Sequence, residues 1–205
     1  MQNFSYIFLL IQLLACLAAI YKWKSIRKTP LWIFLPFLIY SFLNEVTTTA
    51  LYSFTSINFR YLYNIYCIVS FFVYLYWFDR ILKLKLWKWI VTLVFLGAVV
   101  YDVITSDSLK QLIKTALLVQ AIILLIFSVI YFVRLLNKEE VVHYQLIPEF
   151  WIILGLLVFH IAFVPLFLLT GLGYNIQKAY SIAINILNYI LYSSYILGFY
   201  VAGKR

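Results

Sequence analysis

Glu45 is the residue of this chain best placed to do chemistry. It lies within an apolar run from Leu31 to Ser53. A carboxylate inside a hydrocarbon layer is costly unless it is paired or wetted, so its presence marks a candidate site. Asn44 precedes it, and Thr47, Thr48 and Thr49 follow. Ser41, Glu45, Thr48 and Tyr52 recur at the spacing of one helix face, and Ser181, Asn185, Asn188 and Tyr192 do the same near the C-terminus. Polar stripes on apolar helices turn away from lipid. The two stripes are therefore expected to share a cavity. Its ligand contacts would be Glu45, Asn44, Thr48, Asn64, His160, Asn185 and Asn188, with Ser41, Asp102, Gln120 and Tyr192 as further lining. Glu45 would pair there with His160 or with a cationic group of a small ligand.

Each polar residue also has a plainer reading. Asn, Gln, Ser and Thr tie membrane helices together at about 1–2 kcal/mol a contact. Gln12 and Gln120 fit that role best, while Asn185 and Asn188 divide between tying and binding. His160 shares its helix face with Ile153, Leu157, Val164 and Phe167, which suits a hydrogen-bonded structural histidine equally well. Asp102 also fits the outer interface, with Asp107 beyond it. Cys16 and Cys67 lie inside apolar runs and read as small buried hydrophobes. No Cys/His spacing fits a metal site, and neither metal nor cofactor is expected. The chain has no H-E-x-x-H, no G-x-S-x-G and no aspartate pair suited to intramembrane proteolysis, so no enzyme is expected.

The elements that must hold these residues follow from composition. Of 205 residues, 66% are hydrophobic and 11% charged, and the mean hydropathy is +0.99. A soluble domain needs far more charge to cover its surface. Seven apolar runs have the length that crosses a bilayer, at 4–21, 31–53, 61–78, 88–106, 112–136, 150–170 and 179–202. They do not alternate polar with apolar residues, which excludes a transmembrane β-barrel. The reading is one all-α, polytopic domain of seven transmembrane helices over residues 1–205. The N-terminus lacks the basic region of a secretory leader, so the first run is expected to be retained. Pro36 and Pro165 are expected to kink spans two and six.

Orientation comes from the connections. Lys22, Lys24, Arg27, Lys28, Arg80, Lys83, Lys85, Lys88, Arg134, Lys138, Lys204 and Arg205 fall on one side, and Arg60, Lys110, Lys114 and Lys178 on the other. Basic residues stay cytoplasmic, which puts the N-terminus outside and the C-terminus inside. The net charge of +9 is then a product of topology and no sign of nucleic-acid binding. Arg80, Lys83, Lys85 and Lys88 are expected on anionic lipid headgroups or a cytoplasmic protein partner. At 1.5 Å per residue, Glu45 stands roughly 21 Å above the start of its span, in the outer half. Asp102 reaches a similar height. Gln12, Asn64, Gln120, Asn185 and Asn188 lie in the outer half or near the middle, and His160 is near the middle. The inferred cavity opens outward.

A weak internal repeat matches spans one to three with five to seven. Pro30 precedes Leu31-Trp32-Ile33-Phe34-Leu35, and Pro148 precedes Phe150-Trp151-Ile152-Ile153-Leu154. Spans one and five end alike, in Ala19-Ile20-Tyr21 and Val129-Ile130-Tyr131. Parallel repeats of this kind occur in transporters.

Asn44-Glu45, Tyr63-Asn64-Ile65-Tyr66 and Pro148-Glu149-Phe150-Trp151-Ile152 resemble small seven-helix bacterial membrane proteins. The resemblance spans most of the chain. It implies a location in the bacterial inner membrane, and a role as the sensing part of a signalling system or as an accessory protein of defence operons. The repeat is also similar to that of three-plus-one-plus-three sugar transporters, although their Pro-Gln signature is absent. Asn185-x-x-Asn188 resembles the motif of nicotinamide riboside transporters, the rest of whose pattern is missing. A retinal protein is excluded, because Lys178 precedes the last span and Lys204 follows it. Two functions follow as expectations: an integral membrane sensor or accessory signalling protein that binds a small ligand, or a small-solute transporter.

Overall fold

The computed structural model describes residues 2–55, 60–106, 111–137, 143–172, 174 and 177–204, of which 2–6, 52, 53, 55 and 177 are described by their backbone alone. Asp107, Lys110, Lys138, Arg205 and the Tyr52 side chain therefore lie outside the described residues. Among those described there is no strand. The helices are α1 (Gln2–Tyr21), α2 (Trp23–Ile26), α3 (Phe34–Thr55), α4 (Arg60–Leu82), α5 (Trp87–Thr105), α6 (Lys114–Leu136), α7 (Pro148–Gly171) and α8 (Gln177–Ala202). Short 3-10 turns cover Pro30–Ile33 and Tyr144–Leu146.

Among the described residues, six stretches are long and apolar enough to cross a membrane: Pro30–Leu51, Arg60–Leu82, Trp87–Thr105, Lys114–Leu136, Pro148–Gly171 and Lys178–Ala202. Ile7–Tyr21 is apolar but shorter. Span two begins differently from its sequence reading. Pro30–Ile33 is a 3-10 turn and the α-helix starts at Phe34, which leaves Pro36 in the first turn. A helix's first N–H groups have no helical carbonyl to serve, so this proline breaks nothing there. Pro165 stands inside α7. The two openings that suggested a repeat also differ, since Pro148 is the first residue of an α-helix and Pro30 the first of a 3-10 turn.

The chain divides into two compact units, residues 33–123 and residues 1–32 with 124–205. They do not coincide with spans one to three and five to seven, because α1 groups with α7 and α8.

In the unit 33–123, α3 and α4 form an antiparallel hairpin. Phe34 meets Trp77 at 4.7 Å between ring centroids, and Phe37 meets Tyr74 at 5.4 Å, both edge to face. Nearer the turn, Thr48 meets Tyr63. Each step along α3 is matched by a step back along α4, as antiparallel packing requires. Phe71 stacks on Phe95 of α5 at 3.8 Å. Such aromatic pairs add about 0.5–1.5 kcal/mol beyond the area they bury. The buried residues of α5, Phe95, Ala98 and Asp102, share one face. Leu93 is 71% exposed and Ile104 78%. The polar Asp102 turned inward, with leucine and isoleucine turned out, is the arrangement lipid favours.

The other unit is built on α1, α7 and α8. Small residues let α7 and α8 approach closely. A Cβ on Gly155 would collide with the Ser194 side chain, and one on Gly198 would sit 2.7 Å from Ile152 Cγ1. Close approach through glycine and serine is how helices pack where no hydrophobic force separates protein from lipid. At the end of the unit, Lys22 lies over the rings of Tyr21 and Tyr200, and Lys204 over Tyr200.

Candidate functional site around Glu45

Glu45 sits on α3 between two buried residues of its own face, Ser41 and Thr48, and is itself half-buried. Thr48 turns its hydroxyl back to its own helix, donating to the Asn44 carbonyl at 2.8 Å and the Glu45 carbonyl at 3.1 Å. This bonding is common for threonine in a helix and frees Oγ1 to accept. Tyr63, across the hairpin on α4, donates to that Oγ1 at 3.3 Å. The Tyr63 hydroxyl is also a hydrogen-bonding neighbour of the Glu45 carboxylate. Tyr63 thus links the Glu45 carboxylate to the Thr48 hydroxyl. The ion pair found among the described residues joins Lys88 to Asp79, and no basic side chain pairs with Glu45 there.

The remaining sequence candidates fall into two groups. In the first, every candidate has a structural task. Asn64 donates from Nδ2 to the Gln111 carbonyl at 2.9 Å and accepts from the Ile113 N–H at 3.1 Å, so it brackets the chain entering α6. Asp102 Oδ2 accepts the Ala116 N–H at 2.9 Å, capping α6 from the neighbouring helix. A carboxylate at a helix N-terminus is well placed both for that N–H and for the helix dipole. Gln120 donates to Ser70 Oγ at 2.9 Å and accepts from the Cys67 thiol at 3.0 Å. Ser70 in turn donates to the Cys67 carbonyl at 2.9 Å. Asn64, Asp102 and Gln120 therefore act as the ties that polar residues so often are in membrane helices.

The second group lies on α1, α7 and α8. Gln12 donates to the Tyr192 hydroxyl at 2.8 Å, and Phe8 packs edge-on to that ring at 5.7 Å. His160 holds the carbonyl of Leu156, one turn back, through Nδ1 at 2.7 Å, and its ring lies 5.2 Å from that of Phe159. It is a buried residue bound to its own helix. Asn185 and Asn188 are half-buried, and among the described residues their amides have no hydrogen-bond partner. Glu45 belongs to the unit 33–123, whereas His160, Asn185 and Asn188 belong to the other.

The basic cluster forms the α4–α5 turn. Asp79 organises it: its Oδ1 accepts the Leu84 N–H at 3.2 Å, and its Oδ2 accepts from Lys88 Nζ at 3.1 Å. Arg80 lies over the Tyr76 ring at 5.2 Å. Lys83 and Lys85 are exposed, with φ of 52° and 50°. A side chain in the left-handed region costs about 1 kcal/mol that glycine would avoid.

The sequence reading missed Tyr63 as the partner of Glu45, and Cys67 and Ser70 as partners of Gln120. For Tyr63 it is the hairpin register, fixed by Phe34 against Trp77 and Phe37 against Tyr74, that brings Thr48 opposite it. No protein-family model, curated protein or solved structure matches the chain.

Proposed function

We propose that this chain is an integral membrane sensor or accessory signalling protein of the bacterial inner membrane. In this reading it has seven spans, an outer N-terminus and a cytoplasmic C-terminus. A small ligand bearing a cationic or strongly donating group binds at Glu45, with Asn44, Thr48 and Tyr63 around it, from the outer side. Binding shifts the packing of α3 on α4, and cytoplasmic connections other than the α4–α5 turn pass that shift to a partner protein. The chain acts without catalysis.

One observation carries the proposal. Glu45 lies in a membrane-length apolar helix beside the Tyr63 hydroxyl, without a cation among the described residues. A hydroxyl orients a carboxylate but leaves its charge uncompensated, and a ligand cation supplies what is missing. The polar residues with structural tasks, Asn64, Asp102 and Gln120, are bonded to protein groups, so they do not form a second polar path.

The rival reading is a three-plus-one-plus-three transporter. A transporter must offer its solute polar groups in the inner half as well, and the sequence has few there. Uptake into proteoliposomes tests the choice. Protein-dependent accumulation of labelled cationic solutes (amino acids, polyamines, vitamins) that Glu45→Gln abolishes would overturn the sensor. The sensor predicts none above that of protein-free vesicles.

A further inference from the structure

We propose that the α4–α5 turn is a binding site for the headgroup phosphate of an anionic phospholipid, taken by Lys83 and Lys85. The inference rests on the membrane-spanning reading and does not depend on the ligand of Glu45. It begins with the backbone. Both lysines have φ near 50°, a region that favours glycine and asparagine. A turn selected for its shape alone would carry glycine at those two points. Non-glycine residues in this region gather at functional sites, where the side chain matters more than the strain. Here the same cationic side chain stands at both.

The turn around them is firmly built. Asp79 holds the Leu84 N–H and Lys88 Nζ, and the Leu84 side chain is buried. Those contacts also sort the charges. Lys88 is neutralised by Asp79, and Arg80 lies against Tyr76. Lys83 and Lys85 are exposed and, among the described residues, have no acidic partner. They are the charges left for an outside anion.

The neighbours say which anion. Leu86 is 69% exposed, Trp87 66% and Trp89 62%. Tryptophan at the end of a membrane span settles at headgroup level, with apolar residues towards the acyl chains. Lysines two to six residues away then stand at the phosphates, where juxtamembrane basic residues bind anionic lipid. An acidic protein segment would satisfy the lysines and leave the tryptophans uncovered.

Native mass spectrometry of the full chain, released from nanodiscs of equal phosphatidylglycerol and phosphatidylcholine, tests this. The unaltered chain is expected to retain phosphatidylglycerol several-fold over phosphatidylcholine. Lys83→Gly with Lys85→Gly should bring the ratio near one while raising the melting temperature, because glycine relieves the backbone. Lys83→Asn with Lys85→Asn, which also tolerates the left-handed region, should lose the preference without unfolding. Lys24→Gly with Lys28→Gly removes the same charge from another connection and should keep the preference. Undiminished preference in the first two variants, or an equal loss in the third, overturns the proposal. So does equal retention of both lipids by the unaltered chain, which would turn the lysines over to an acidic protein segment. Failure to enter nanodiscs would instead count against the membrane-spanning reading.

Discussion

Replacing Asn64 by leucine should destabilise the unit 33–123 without touching the ligand site. The side chain is 7% exposed and bridges two backbone groups, the Gln111 carbonyl at 2.9 Å and the Ile113 N–H at 3.1 Å. Leucine keeps the size and loses both bonds. Their fates differ. Gln111 is exposed, so its carbonyl can turn to water or headgroups, whereas Ile113 is 3% exposed and its N–H has nowhere to go. A hydrogen bond contributes about 1 kcal/mol net, and a stranded buried donor costs about 1–3 kcal/mol. The sum is about 2–4 kcal/mol, the larger part from Ile113. For a chain of this length that lowers the melting temperature by roughly 4–16 °C. Thermal unfolding in detergent, followed by circular dichroism, reads the shift. An unchanged melting temperature, coupled with lost ligand response, would refute the reasoning and return Asn64 to the binding site.

Three further outcomes follow from the same contacts. Asp102→Ala removes the cap on Ala116 N–H and should cost about 1–2 kcal/mol in the same melt, while Asp102→Asn, which still offers an oxygen, should cost much less. Gly155→Ala drives a Cβ into Ser194 and should cost about 1–3 kcal/mol by overpacking; adding Ser194→Gly should recover part of that, a coupling that a double-variant cycle measures. Lys83→Gly alone should stabilise the chain by about 1 kcal/mol through relief of its left-handed backbone.

The helices were legible in the sequence because six of the apolar runs have the length that lipid demands and the first, Ile7–Tyr21, falls a little short of it. The run at 88–106 became Trp87–Thr105, and that at 112–136 became Lys114–Leu136. The start of span two was less so, since a 3-10 turn and an α-helix draw on the same apolar residues. Polar positions could be found, but not their tasks. Asn64 serves backbone groups 47 and 49 residues away, and a backbone N–H leaves no mark in the identity of the residue that carries it. Asp102 looked like an interfacial aspartate, and only its distance from Ala116 makes it a cap. Glu45 was legible as a costly carboxylate, whereas its hydroxyl neighbours depend on the register of the hairpin. The grouping of α1 with α7 and α8 depends on contacts such as Gln12 with Tyr192, across 180 residues. A single sequence carries no signal for these.

The most direct test of the account is access to position 45. Glu45→Cys, in a chain with Cys16 and Cys67 replaced by alanine, would be exposed to a membrane-impermeant thiol reagent in right-side-out and inside-out vesicles. The account predicts modification from the outer side alone, slowed by a bound cationic ligand. Modification from the cytoplasmic side, or from neither, would contradict it.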